Sequence, residues 1–409
     1  MEFLHVDSLG TAQGKLIASA NDWLMCGETL PISDTVGRVL AEDIVANEDI
    51  PAFRRSSVDG YAVVSKDTAA AGESIPVFLA VKGSVEMGAP AKLAIRSGEC
   101  AEVPTGGMLP DGADAVVMVE YTEAIGKGRT ALHHSVAYGE NVVQIGEDAA
   151  AGAALLRRGK RLAPQDVGAL AAAGITEAIV YKCPKIVIIS TGDELVPPGN
   201  TPMPGQIRDI NTYALAALAR KHGFTVAGTL VLPDDEPALE QATREAMAAG
   251  DVVAISGGSS KGAKDKTRAV IERIASPGVY THGLAIKPGK PTILAFDEPS
   301  KTILAGLPGH PVSAIMVFEL LFGWLMREMT GCAPDLAIPA RLSCNVASAP
   351  GMLTCWPVTL SWMGNGYVAD PVFGKSGLIT TLAKADGYFS VERNTEGLPA
   401  GTAVMVHLF

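Results

Sequence analysis

The stretch DVVAISGGSSKGAKDKT, residues 251–267, gathers the side chains best suited to chemistry. An apolar run of strand type ends in Ser256-Gly257-Gly258-Ser259-Ser260, Gly262 follows, and the next helix is expected from Asp265. Glycines let backbone N–H groups approach an anion, serine hydroxyls add donors, and a helix N-terminus adds partial positive charge. One helix end contributes only about 0.3–1 kcal/mol toward an anion, so cations are needed as well. A Gly- and Ser-rich strand-to-helix turn kept for geometry alone fits the same spacing. Cations are available in AIKPGKP, residues 285–291, where prolines and a glycine stiffen a non-helical loop and hold Lys287 and Lys290 in place. Carboxylates come from Asp193, Glu194 and Asp265. Beside a phosphate they would repel unless a hard divalent cation lay between them; Mg²⁺ is the usual one, and these three are its candidate ligands. The loop PGHP adds Pro308 and Gly309. Solvated loops and helix caps would explain each group singly, but their convergence at strand ends points to phosphoryl or phosphoanhydride chemistry, stabilised electrostatically. Walker A and HExxH patterns are absent.

The elements that must position these groups alternate. Within 182–330, strand-like and helix-like runs follow one another, which predicts a three-layer α/β/α domain with a mostly parallel sheet. Ligands then belong at the strand carboxyl ends, in Thr191–Glu194, Ser256–Asp265 and Pro308–Ser313. Helices are expected from Asn211, as cap, to Lys221; from Asp235 to Ala249; and from Val312 to Thr330. Residues 1–47, with a helix over Thr11–Met25, and 141–181, with a helix over Pro164–Ala173, are read as one discontinuous domain. Residues 48–140 form short β-type runs and are read as an inserted β-rich module. There, Asp59-Gly60 reads first as a tight turn and Thr105-Gly106-Gly107 as a plain loop of small residues. Residues 331–409 return to β runs and predict a small barrel-like or sandwich domain.

Composition narrows the partners. A net charge of −11 without a basic block argues against nucleic acid or an anionic membrane. The longest apolar stretch, Ala314–Met326, is interrupted by Glu319 and is shorter than the ~20 residues that span a bilayer. The N-terminal residues lack a signal-peptide pattern, and the six scattered cysteines form no CxxC or zinc-type cluster, so a cytoplasmic protein with free thiols is expected.

The ordered set SVDGYA (57–62), PTG (104–106), GED (146–148), STGDEL (190–195), SGGSSKGAKD, AIKPGKP and GLPGHPVS (306–313) resembles one family, the molybdopterin molybdenumtransferases of the MoeA and gephyrin E-domain type, over nearly the whole chain. The resemblance implies an elongated homodimer of four-domain subunits, with the active site near the dimer interface. It implies molybdate and adenylylated molybdopterin as substrates, Mg²⁺ as cofactor, and insertion of the metal with cleavage of the phosphoanhydride and release of AMP. By matching position it assigns function to Asp59, Thr105, Asp148, Glu194 and Asp265. It also assigns Lys287, Lys290, Pro291 and Ser313 to the molybdate and phosphate pocket, with Ser376 contributing from the last domain. The adenylyltransferase that makes the substrate and the enzymes that accept the cofactor are the implied partners. The chain departs from the family at Ala263, Lys266 and Gly283, and the segment 351–357 lacks arginines common there, one of which helps hold molybdate. Two readings compete: the adenylyltransferase itself, usually a short single domain, and a non-catalytic pterin-binding scaffold, which the missing arginines favour and the retained carboxylates oppose.

Overall fold

In the computed structural model, which describes residues 6–20, 25–126, 128–257, 263–334 and 336–409 (backbone alone for 263–265), the runs KIVIIS and DVVAIS become neighbouring parallel strands, Lys185–Thr191 and Val252–Gly257. The six-stranded sheet around them runs in the order Thr225–Leu232, Lys185–Thr191, Val252–Gly257, Thr302–Pro308, Ile293–Asp297, Pro277–His282. The first four strands are parallel; Ile293–Asp297 runs antiparallel to both its neighbours, so Pro277–His282 runs in the same direction as the first four. A strand covered on both faces must be apolar at successive positions, and every residue of Lys185–Thr191 except Lys185 is buried. The chain passes from this strand to the sheet edge and then returns to its other side, so the crossovers diverge and leave a crevice at the strand carboxyl ends.

Seven helices are used below: α1 (Leu9–Ala20), α2 (Pro164–Ala172), α3 (Asn211–Lys221), α4 (Glu236–Ala249), α5 (Ala263–Ile274), α6 (Pro311–Phe318) and α7 (Trp324–Thr330). Alternate side chains of the strands feed opposite faces. Ile186, Ile188, Val252 and Ala254 pack with α1, α3, α6 and α7, while Val187, Ile189, Val253 and Ile255 pack with α4 and α5. The α1 residues Ala12, Leu16 and Ala20 thus sit in the core of the α/β sheet. The helix begins at Leu9 rather than Thr11 because the Ser8 hydroxyl caps it, accepting from the Thr11 N–H at 3.1 Å. Asp235 caps α4 through the Ala238 N–H at 2.9 Å, as its position predicts. Asn211, expected to cap α3, does not; Asp209 accepts from the Thr212 N–H at 3.2 Å instead.

The predicted single helix 312–330 contains a π-helical turn, Glu319–Gly323, between α6 and α7. The wider turn frees a carbonyl, and Gln13 of α1 donates to Leu320 O at 2.9 Å. It also places the buried Glu319 carboxylate 2.7 Å from His222 Nε2. Burial works to raise that carboxyl, but the His222 hydrogen bond and the charges of His222, Lys221 and Arg327 outweigh it and hold Glu319 below its ordinary value.

Outside the α/β sheet, Gly27–Pro31 pairs antiparallel with Glu177–Tyr181 and Ile44–Val45 with Ala154–Leu156, around a core that includes Leu40, Leu162 and Leu170 of α2. Between these pieces a six-stranded sheet runs Ala115–Met118, Gly60–Val63, Glu99–Val103, Val77–Ser84, Arg129–Leu132, Thr122–Ala124. The last residues form a closed barrel of Leu353–Trp362, Tyr367–Pro371, Ala337–Leu342, Ala403–Leu408 and Gly387–Val391, the first strand pairing again with the last. The short strand Ile286–Lys287 joins this barrel in parallel, Ile286 opposite Leu353 and Lys287 opposite Thr354. Backbone pairing therefore ties the KPGKP loop of the α/β region to the barrel. Among the described residues, no helix is long and apolar enough to cross a membrane.

Candidate functional site

Two adjoining cavities open at the carboxyl ends of the α/β strands, sharing Gly309 and His310 in their walls. The smaller, about 250 Å³, is bordered by Thr191, Glu194, Asp209, Asn211, Ser256 and Gly257. Asn211 holds its frame: the side-chain amide donates to Ser256 Oγ and to Gly309 O, both at 2.8 Å. Gly257 must be glycine, because a Cβ there would lie 1.8 Å from Thr191 Oγ1. Two buried oxygens on this cavity's residues have no protein partner, Asp209 Oδ2 and Asn211 Oδ1. An unpaired buried acceptor costs about 1–3 kcal/mol, so both suit a ligand that brings donors or a hard cation.

The larger cavity, about 640 Å³, lies between the α/β region and the barrel. One wall is the KPGKP loop with Lys287, Lys290 and Pro291; another is Pro308, Gly309 and the start of α6, including the buried Ser313; the barrel supplies Trp356, Lys375 and Ser376. Ser376 docks on the α6 terminus: its carbonyl accepts from the Val312 N–H at 3.2 Å, and its hydroxyl lies 2.7 Å from His310 Nδ1. Among the described residues, no Asp or Glu lines this cavity. Among the described residues, Lys287, Lys290 and Lys375 enter no ion pair. Cys355 also faces the cavity, but burial pushes its thiol up to about 12, so it is a protonated wall residue and not a thiolate nucleophile. Lysines, a helix N-terminus and hydroxyls gathered around one cavity are groups whose chemistry suits an oxyanion.

The remaining predicted residues fall elsewhere. Asp59 and Thr105 meet in the inserted sheet, where the Thr105 N–H and hydroxyl donate to Asp59 Oδ1 at 2.7 and 3.0 Å. These two bonds, the backbone one foremost, hold the Asp59 carboxyl below its ordinary value. Asp148 is exposed on a loop whose backbone N–H bonds Ile50 O at 3.0 Å. Neither Asp59 nor Asp148 borders the two cavities of its own chain. Asp193 accepts the Asp234 N–H at 3.0 Å and borders neither cavity. Gly258, Ser259, Ser260, Gly262 and the side chain of Asp265 lie outside the described residues. Among the described residues, no group of three or more His, Cys, Asp or Glu is poised to hold a metal. Sequence reading missed Asp209, His310 and Lys375; the only local signal was the Asp-x-Asn spacing of Asp209 and Asn211 ahead of α3.

This combination, an α/β sheet with two cavities at its strand ends, flanked by an inserted β module and a C-terminal barrel, defines a multidomain enzyme class, and family models account for each part. Residues 8–174 match the MoeA N-terminal region (domain I and II), residues 187–327 a probable molybdopterin binding domain, and residues 339–409 the MoeA C-terminal region (domain IV). The chain belongs to the MoeA family of molybdopterin molybdenumtransferases, enzymes of molybdenum cofactor biosynthesis. It is 32% identical over 387 residues to the Haemophilus influenzae molybdopterin molybdenumtransferase, covering 93% of this chain and 94% of that one. The Bacillus subtilis molybdopterin molybdenumtransferase is 32% identical over 394 residues, covering 93% and 90%. A molybdopterin biosynthesis MoeA protein of Pyrococcus horikoshii OT3 superposes with a TM-score of 0.82 at 31% identity, covering 99% of this chain and 100% of that one.

Proposed function

We propose that the enzyme inserts molybdenum from molybdate into adenylylated molybdopterin and cleaves the phosphoanhydride, releasing AMP and the molybdenum cofactor. The observation that carries this is the pairing of two chemically different cavities across Gly309 and His310. The lysine pocket, without an acid among the described residues, suits the oxyanion, and the cavity with Glu194, Asp209 and Asn211 suits a pterin phosphoanhydride. Bound there, the two dithiolene thiols replace one molybdate oxygen, which leaves as water with the two thiol protons, and a second water molecule splits the P–O–P bond. Lys287, Lys290, Ser313 and Ser376 hold the molybdate, while Asn211 keeps Ser256 and Gly309 in register with the phosphates. The hard oxygens of Glu194 and Asp209, the latter with one unpartnered oxygen, fit Mg²⁺, and Asp265 at the start of α5 is the further expected ligand. Mg²⁺ would offset the charge developing on the bridging phosphate oxygens.

Asp59, Thr105 and Asp148 reach this chemistry in a homodimer, the inserted module of one copy facing the strand ends of the other. The support is their separation from both cavities within one chain and the perturbed Asp59 carboxyl, a mark of functional sites. Incubation with adenylylated molybdopterin, molybdate and Mg²⁺ is expected to release AMP with active cofactor. No AMP under conditions where the Haemophilus influenzae relative turns over refutes the reaction, and a monomer by light scattering refutes the composite site. The adenylyltransferase would supply the substrate, and molybdenum enzymes would accept the product.

A further inference from the structure

We propose that Lys375 is the third cation of the oxyanion pocket and binds molybdate together with Lys287 and Lys290. The inference rests on the oxyanion reading of the larger cavity and identifies which residue completes it. Lys287 and Lys290 both belong to one loop, on one wall. The neighbouring wall, 352–357, offers no cation, and its polar groups are occupied or neutral. The Thr354 hydroxyl lies 3.0 Å from Ser348 Oγ and accepts from the Ala349 N–H at 3.1 Å. The Trp356 indole N–H donates to Ala347 O at 3.1 Å. Positive charge from the barrel side therefore comes from Lys375.

The backbone that carries Lys375 is held in place. Its successor Ser376 is bonded to the α6 terminus at two points, through the Val312 N–H and the His310 ring. Its own carbonyl accepts the Leu378 N–H at 2.9 Å, and its predecessor Gly374 sits so close to Thr381 that a Cβ would meet Thr381 Oγ1 at 2.4 Å. Thus the Lys375 stem starts from a fixed point on the cavity wall, and among the described residues no carboxylate pairs with it. Molybdate carries two negative charges and the adenylylated pterin adds phosphates beside it. Two lysines would at best neutralise the metal oxyanion; a third gives the pocket the excess positive charge it needs in a chain of net charge −11.

Calorimetric titration of the intact protein with sodium molybdate, and separately with sodium tungstate, tests this at low ionic strength. Lys375→Ala is expected to weaken molybdate binding about tenfold or more, the loss of one charge-assisted contact. Lys375→Arg should restore most of the affinity, and the thermal midpoints should not move, since Lys375 is exposed and unpaired. Lys290→Ala serves as the comparison. If Lys290→Ala weakens binding while Lys375→Ala binds as wild type does, Lys375 lies outside the pocket: the inference falls and the oxyanion reading stands. If neither Lys287→Ala, Lys290→Ala nor Lys375→Ala changes the affinity, or the wild type takes up no oxyanion, that reading falls and the inference with it.

Discussion

Gly289, between the two pocket lysines, offers a test of how the fold positions them. Its φ is +125°, and a Cβ there would lie 2.5 Å from Val317 Cγ2 and 2.8 Å from Ile286 Cδ1. Val317 and Ile286 are both fully buried, so neither can swing aside into solvent. Nor can the loop retreat: the Thr292 hydroxyl donates to Gly289 O at 2.8 Å, and the Leu284 N–H to Lys290 O at 2.9 Å. Overpacking of a tight core costs about 1–3 kcal/mol, and a non-glycine residue held in such a backbone conformation about 1–3 kcal/mol. Gly289→Ala should therefore lose roughly 2–6 kcal/mol of stability in urea titrations followed by tryptophan fluorescence. Gly205→Ala separates the two causes. Its φ is +92°, but nothing lies within 4 Å of its Cβ position, so only the conformational cost of about 1–3 kcal/mol applies. Because the clash pushes on the segment that carries Lys287 and Lys290, Gly289→Ala should also weaken molybdate binding, whereas Gly205→Ala should not. A Gly289→Ala midpoint no lower than that of Gly205→Ala would refute the reasoning, since the loop would then be free to move.

Three further outcomes are expected. Glu319→Gln should destabilise the protein by about 3 kcal/mol, as removal of one member of a buried ion pair does; its folded carboxyl lies below the ordinary 4.5, so the stability it contributes is full above pH 4.5 and is lost as pH falls through the folded value, and the variant's stability should fall less steeply over that range. Thr105→Val removes the hydroxyl that donates to Asp59 and leaves the backbone bond, so AMP release should fall by about tenfold with the melting temperature unchanged; unchanged turnover would count against a role for the pair. Asp209→Asn keeps an acceptor for the α3 cap but withdraws the unpartnered carboxylate charge from the smaller cavity; steady-state kinetics should show the loss mainly in kcat if it holds the cation and mainly in KM if it holds the pterin, and no change in either would remove it from the site.

The sheet and its ligand end were legible because a strand covered on both faces must be apolar throughout, and KIVIIS and DVVAIS announce that directly. Glu194 lies just beyond the first of these strands and Ser256 near the end of the second, while the KPGKP lysines were read from the proline- and glycine-stiffened loop that carries them. What stayed hidden was decided by contacts between distant segments. The α1 stripe of Ala12, Leu16 and Ala20 signals a buried face but says nothing about which sheet buries it. Asn211 has the residue type of a helix cap, yet the pull of Ser256 Oγ and Gly309 O, far along the chain, outweighs the local option. The π turn at Glu319 follows from a partner, His222, on another helix's end and from Gln13 at the far end of the sequence. Lys375 reads as a surface lysine until the Ser376 contacts to α6 bring its loop against the cavity. The same logic applies to the larger cavity as a whole. The lysines that line it come from two domains held together by the Ile286–Lys287 strand in the barrel and by Ser376 on α6. Charge at the site therefore depends on docking between domains, which local sequence patterns do not record.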